Sequence, residues 1–179
     1  VETGKNRGLP RMHAAAIIVD LREADLLPVA VPASEEEEDG ETMTLRPTLE
    51  LQQRPDLLAV INATPFRPTP ISRGKAVDPV GVLIVEGRIV SGYEPRFAAL
   101  YLSSTGRAAI AGQSPEAVRE IESAMTIHTA VGGFHIVLEN GEPAGRRGVR
   151  AARSAIGVDE EGRRAVILAV GGDSPGASV

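Results

Sequence analysis

Asn62 and Arg153 are the residues whose type and position best suit chemistry. Asn62 follows an apolar run in LLAVINATPF (57–66), which breaks at Pro65. Leu57 to Ile61 read as a short strand, so Asn62 emerges at a strand terminus, where side chains leave the core and meet ligands. Arg153 stands at the threshold of another apolar run, SAIGV, at the end of an approach that also holds Arg146, Arg147 and Arg150. A guanidinium there suits bidentate capture of phosphate or carboxylate, and it equally suits a structural ion pair. The other three arginines read as solvated loop residues.

Two further patterns invite chemistry and lose to physics. GDSPG (172–176) fits G-x-S-x-G, but a nucleophile elbow needs a backbone N–H after the serine, and Pro175 has none. A Gly/Pro turn after the last strand is the better reading of Ser174. The histidines His13, His128 and His135 raise the question of zinc, but no acidic residue stands at ligand spacing. His128 or His135 reads better as a polar tip in a substrate pocket. Asp20, Asp78, Glu139 and Asp159 fit turns or strand ends as readily as a catalytic carboxylate pair.

The elements that must position these residues follow from periodicity and punctuation. MHAAAIIVDL (12–21) and LLPVAVPA (26–33) read as strands, and the acidic run SEEEEDGE (34–41) as a solvated loop. Pro47 suits the first turn of a short helix that ends before Pro55. Residues 63–79 hold four prolines and predict a long loop or flap without regular structure. From Val80 onward, Gly87, Gly106, Gly141 and Gly162 punctuate strand-like runs, predicting a series of β-hairpins. SPEAVREIESAM (114–125) predicts an amphipathic helix with a serine cap and apolar Val118, Ile121 and Met125. The expected fold is α+β: a mostly antiparallel twisted sheet of hairpins covered by one or two helices.

At 179 residues the chain suits a single domain, with residues 1–11 a loose lead-in. It is 42% hydrophobic but 3% aromatic, so the core must come from Val, Ile, Leu and Ala. A net charge of -5 and few aromatics argue against a nucleic-acid binder. Absence of cysteine excludes disulfides and thiolate metal sites and leaves the compartment open. No apolar run is long enough to span a bilayer, and the N-terminus lacks a signal peptide's apolar core.

Taken in order, several segments resemble the phosphodiester glycosidase family of the uncovering-enzyme type. They are VDL (19–21), RPTLEL (46–51), AVINATPF (59–66), PVGVLIVEGRIV (79–90), TAVGGFHIVLENGE (129–142) and RSAIGVDEEGRRAVILAVGG (153–172). The resemblance implies hydrolysis of the bond between a sugar's anomeric carbon and a phosphodiester oxygen, or of a related cell-envelope linkage. A non-catalytic sugar-phosphate or glycan-binding module is the alternative. It further implies that Asn62 and Arg153 line the active site, and that Gly132 and Gly133 form a backbone turn beside it. His135 and Phe66 would contact substrate. Asn62 cannot be the general acid. The family continues into a helix and a strand leading to a Leu-Asp-Gly-Gly motif that this sequence does not contain, so a complementary C-terminal fragment is an expected partner. No metal or cofactor is implied, with calcium left open, and the expected location is secreted or cell envelope.

Overall fold

A computed structural model describes residues 12–29, 43–44, 48–51, 54–67, 76–144 and 153–172. The early strands are β1 (Met12–Asp20), β2 (Met43–Thr44), β3 (Phe66–Arg67) and β4 (Ala76–Pro79), with the four-residue helix α1 (Thr48–Leu51) between β2 and β3. Then come β5 (Leu83–Val85), β6 (Arg88–Ser91), β7 (Ala98–Leu102) and β8 (Ala108–Gly112). Helix α2 (Pro115–Ala124) leads to β9 (Thr129–Gly132), β10 (Leu138–Glu139), β11 (Glu142–Pro143), β12 (Arg153–Val158) and β13 (Arg164–Gly172).

The centre is a five-stranded antiparallel sheet in the order β6-β5-β9-β7-β8. Strand alternation divides its side chains between two cores. Val82, Ile84, Ala99, Tyr101 and Ala130 are buried on one side with Val118 of α2. Leu100, Leu102 and Ala108 are buried on the other with Leu21 and Ala165. Those last two flank and belong to a second sheet, β1-β13-β12, whose Ile156 and Val158 also pack there. A third cluster joins Leu83 to Met43 and Val77 of the small sheet β2-β4-β3. Burying each such aliphatic side chain stabilises by about 1.5–3 kcal/mol before entropy is counted. Tyr101 is wholly buried, and its hydroxyl donates to the Gly112 carbonyl at 3.2 Å.

Helix α2 starts as its sequence predicts. Ser114 accepts from the Ala117 N–H at 3.3 Å, Pro115 occupies the first turn, and Ile121 and Met125 pack against the core. The hairpins are present as well: β5–β6 turns on Glu86-Gly87 and β10–β11 on Asn140-Gly141, all four residues at positive φ. Both pairs have the dihedral signs of a type I′ turn, whose twist matches that of the strands.

The α+β expectation is corrected to a mostly β fold of several antiparallel sheets with one ten-residue helix. The layer that covers the second face of the central sheet is another sheet, to which Ile156, Val158 and Ala165 belong, and not a helix. Leu57 to Ile61 form no strand; Leu58 is 87% exposed, and among the described residues no strand pairs with the segment. Residues 26–29 are likewise irregular, and the rest of that expected strand lies outside the described residues. Ala76–Pro79, expected as loop, instead forms β4, because Val77 buries its side chain against Met43 and Leu83. The acidic run, Ser174 and Arg146, Arg147 and Arg150 also lie outside the described residues. No described helix is long and apolar enough to cross a membrane.

Candidate functional site

Asn62 meets the start of β12. The Ser154 hydroxyl donates to Asn62 Oδ1 at 3.1 Å, a contact between residues 92 apart in the chain. Arg153 precedes Ser154 and opens β12, an edge strand. Strand alternation sends the Arg153 and Ser154 side chains to opposite faces. The irregular segment carrying Asn62 is tied to the main body at Pro65, whose carbonyl accepts from the Val80 N–H at 2.6 Å.

Beneath this segment lies a backbone junction built around Gly132, Gly133 and Gln113. Gln113 is fully buried; its Oε1 accepts from the N–H groups of Val82 at 2.8 Å and Glu94 at 2.9 Å. Its Nε2 donates at 2.9 Å to the Ala98 carbonyl, which also accepts from the Gly133 N–H at 2.8 Å. Close approach explains the glycine at 132: a Cβ there would stand 3.1 Å from the Val82 carbonyl oxygen and 3.4 Å from Thr64 Cγ2. Thr64 belongs to the Asn62 segment, so Gly132 is where that segment seats. Beyond Gly133, Phe134 and His135 are exposed, and both rings stand near-perpendicular to Phe97, at 5.3 and 6.4 Å between centroids.

The carboxylates at the sheet's other end are engaged with arginines. Asp20 accepts from Arg22 Nε at 2.9 Å and from its Nη2, and that bonding holds the carboxyl well below its ordinary range. Asp159 accepts from the N–H groups of Arg164 and Arg163 and from Arg164 Nε, which lowers its pKa. In the ladder Arg153 pairs with Val170, whereas Val158 pairs with Ala165 and Asp20 with Arg164. Five residues of strand, about 16 Å, therefore separate Arg153 from the Asp159 end.

Of the residues singled out from the sequence, the structure brings Asn62 to the residue after Arg153, and seats Gly132 and Gly133 beneath the Asn62 segment. His135 lies past Gly133 in the aromatic cluster. Phe66 is half-buried and packs against Met43, Val77 and Leu83, so its ring is engaged in the third core. Ser154, Thr64 and Gln113 were not read from sequence, since nothing local marks a residue whose partners lie far away in the chain. His13 pairs across the sheet with Gly171, on the face that carries Ser154 and about 12 Å from it by ladder dimensions. Among the described residues no group of three His, Cys, Asp or Glu could hold a metal ion. Two grooves lie elsewhere. One of about 320 Å³ is lined by Tyr93, Glu122 and Met125, and one of about 290 Å³ by Asp20, Asp159 and Arg163.

No curated protein matches the chain. A family model described as phosphodiester glycosidase matches residues 56–179, a span that takes in Asn62, Gly132, Gly133 and Arg153. Since that match covers well over half of the 179 residues, the chain belongs to the phosphodiester glycosidase family.

Proposed function

We propose that this protein hydrolyses a glycosyl phosphodiester, or a related cell-envelope glycan linkage, at the surface formed by Asn62 and the start of β12. The observation that carries this reading is the Ser154–Asn62 hydrogen bond, made in a chain that belongs to a family of phosphodiester glycosidases. Departure of a phosphodiester from an anomeric carbon builds negative charge on the leaving oxygen and positive charge on the sugar ring. Arg153 neutralises the phosphate, its long side chain giving it the reach to turn around the strand's end. Asn62, with Oδ1 fixed by Ser154, directs its amide N–H groups at a sugar hydroxyl or a phosphate oxygen. A substrate of this kind is met in secretion or at the cell envelope.

Binding without turnover is the second reading, and the placement of Asp20 and Asp159 favours it. Both carboxylates are held by arginines at the far end of the sheet, so neither serves as general acid beside Asn62. The experiment is a sugar-release assay on the methyl phosphodiester of N-acetylglucosamine 1-phosphate, with wild type, Asn62→Ala and Arg153→Ala. Hydrolysis by the wild type that falls at least about 100-fold in each variant supports the enzyme. Saturable binding with no sugar released supports the binder, and neither binding nor release refutes both.

A further inference from the structure

Thr64 Oγ1 is the one buried side-chain oxygen or nitrogen among the described residues that has no hydrogen-bond partner. Such a group is destabilising, because folding strips its water and returns no bond. The contrast lies close by: Gln113, buried against the same glycine, uses both its oxygen and its nitrogen. What Thr64 presents to Gly132 is its methyl, Cγ2, which supports the close seating of the segment.

Two residues earlier, Asn62 has its Oδ1 engaged with Ser154, which leaves the amide N–H groups as its outward chemistry. Residues 62 and 64 thus hold an amide donor and a hydroxyl donor that no described residue uses. Two such donors on one short segment suit an anionic oxygen, which accepts several hydrogen bonds at once. The 59–65 segment belongs to no strand, so a shift that uncovers Oγ1 breaks no ladder hydrogen bond.

We infer that Thr64 is a ligand-binding residue whose hydroxyl donates to an anionic oxygen of the phosphodiester at the Asn62 site, and that its unsatisfied state in the free chain is retained for that bond. The inference rests on the functional reading above. Its test opposes two readouts in the same variants, the melting temperature and the binding of the methyl phosphodiester of N-acetylglucosamine 1-phosphate by titration calorimetry.

Thr64→Val removes the hydroxyl and keeps the shape, so the free protein is expected to melt about 2–4 °C higher. The same variant is expected to bind the probe about tenfold more weakly. Thr64→Ser keeps the hydroxyl and loses the methyl against Gly132; it is expected to melt lower than wild type yet bind within about twofold of it. Thr64→Val that binds as tightly as wild type overturns the inference and leaves the functional reading standing. Thr64→Val that melts lower, or fails to fold, also overturns it, since the hydroxyl would then serve the structure. A wild type that does not bind the probe overturns the functional reading, and this inference with it.

Discussion

Asn62 and Ser154 are both exposed, so their hydrogen bond contributes little to folding, and its consequence is orientation of the asparagine amide. Asn62→Ala is therefore expected to shift the melting temperature by less than about 2 °C. Ser154→Ala is expected to leave stability similarly unchanged and to weaken probe binding about three- to tenfold, since it frees the amide to rotate. Titration acts on other residues. Hydrogen bonds from Arg164 and Arg163 lower the pKa of Asp159, so the unfolded chain binds that proton more tightly. The resulting stability is present above about pH 4 and is lost as pH falls below it. Tyr101 behaves oppositely: burial pushes its phenol up to about 12. Its contribution is intact below about pH 10, where the unfolded phenol ionises, and is lost as pH rises toward 12. Melting temperature plotted against pH should fall at both extremes, and Tyr101→Phe should flatten the alkaline side. At this scale, residues next to their partners were legible: Arg153 opens a strand as read. Gln113 was not, because it bonds Val82, Glu94 and Ala98, which stand 15 to 31 residues away.

Among the elements, the hairpins and α2 were legible because their signals are local. Gly162 illustrates how hard one such signal is to replace. It turns β12 into β13 at φ 66°, and a Cβ there would stand 2.3 Å from the Ala108 carbonyl oxygen. Gly162→Ala is expected to destabilise by about 2–4 kcal/mol, read as a lower urea midpoint with little change in slope. An unchanged midpoint would mean that the turn is not seated on β8 as described. Leu57 to Ile61 were misread as a strand because a short apolar run carries no period of its own. What decides such a run is a partner strand, and among the described residues none pairs with it. Ala76–Pro79 was missed for the complementary reason: the prolines before it and the one that ends it hide a strand whose evidence is Val77 packed on Met43 and Leu83.

In the whole molecule, antiparallel topology was readable from the turn glycines, while the arrangement of layers was not. The unbroken apolar run Ala98–Leu102 shows that both faces of β7 must be covered, but it does not reveal that α2 covers one and a second sheet the other. Within the central sheet, Gln113 ties the starts of β5 and β7 to the β6–β7 loop. Gln113→Ala should therefore cost about 2–5 kcal/mol by leaving the Val82 and Glu94 N–H groups unsatisfied, measurable by equilibrium denaturation. The family was legible from segments in order, and the family match, over residues 56–179, takes in those from AVINATPF onward but not VDL or RPTLEL. The central claim, that the phosphodiester binds where Asn62 meets β12, is tested most directly by mapping backbone amide shifts in nuclear magnetic resonance. The titrant is the methyl phosphodiester of N-acetylglucosamine 1-phosphate. Saturable shifts concentrated at Asn62, Thr64, Gly132, Gly133, Arg153 and Ser154 are expected. Shifts centred on the groove at Tyr93 and Glu122, or no saturable shifts at all, would contradict the claim.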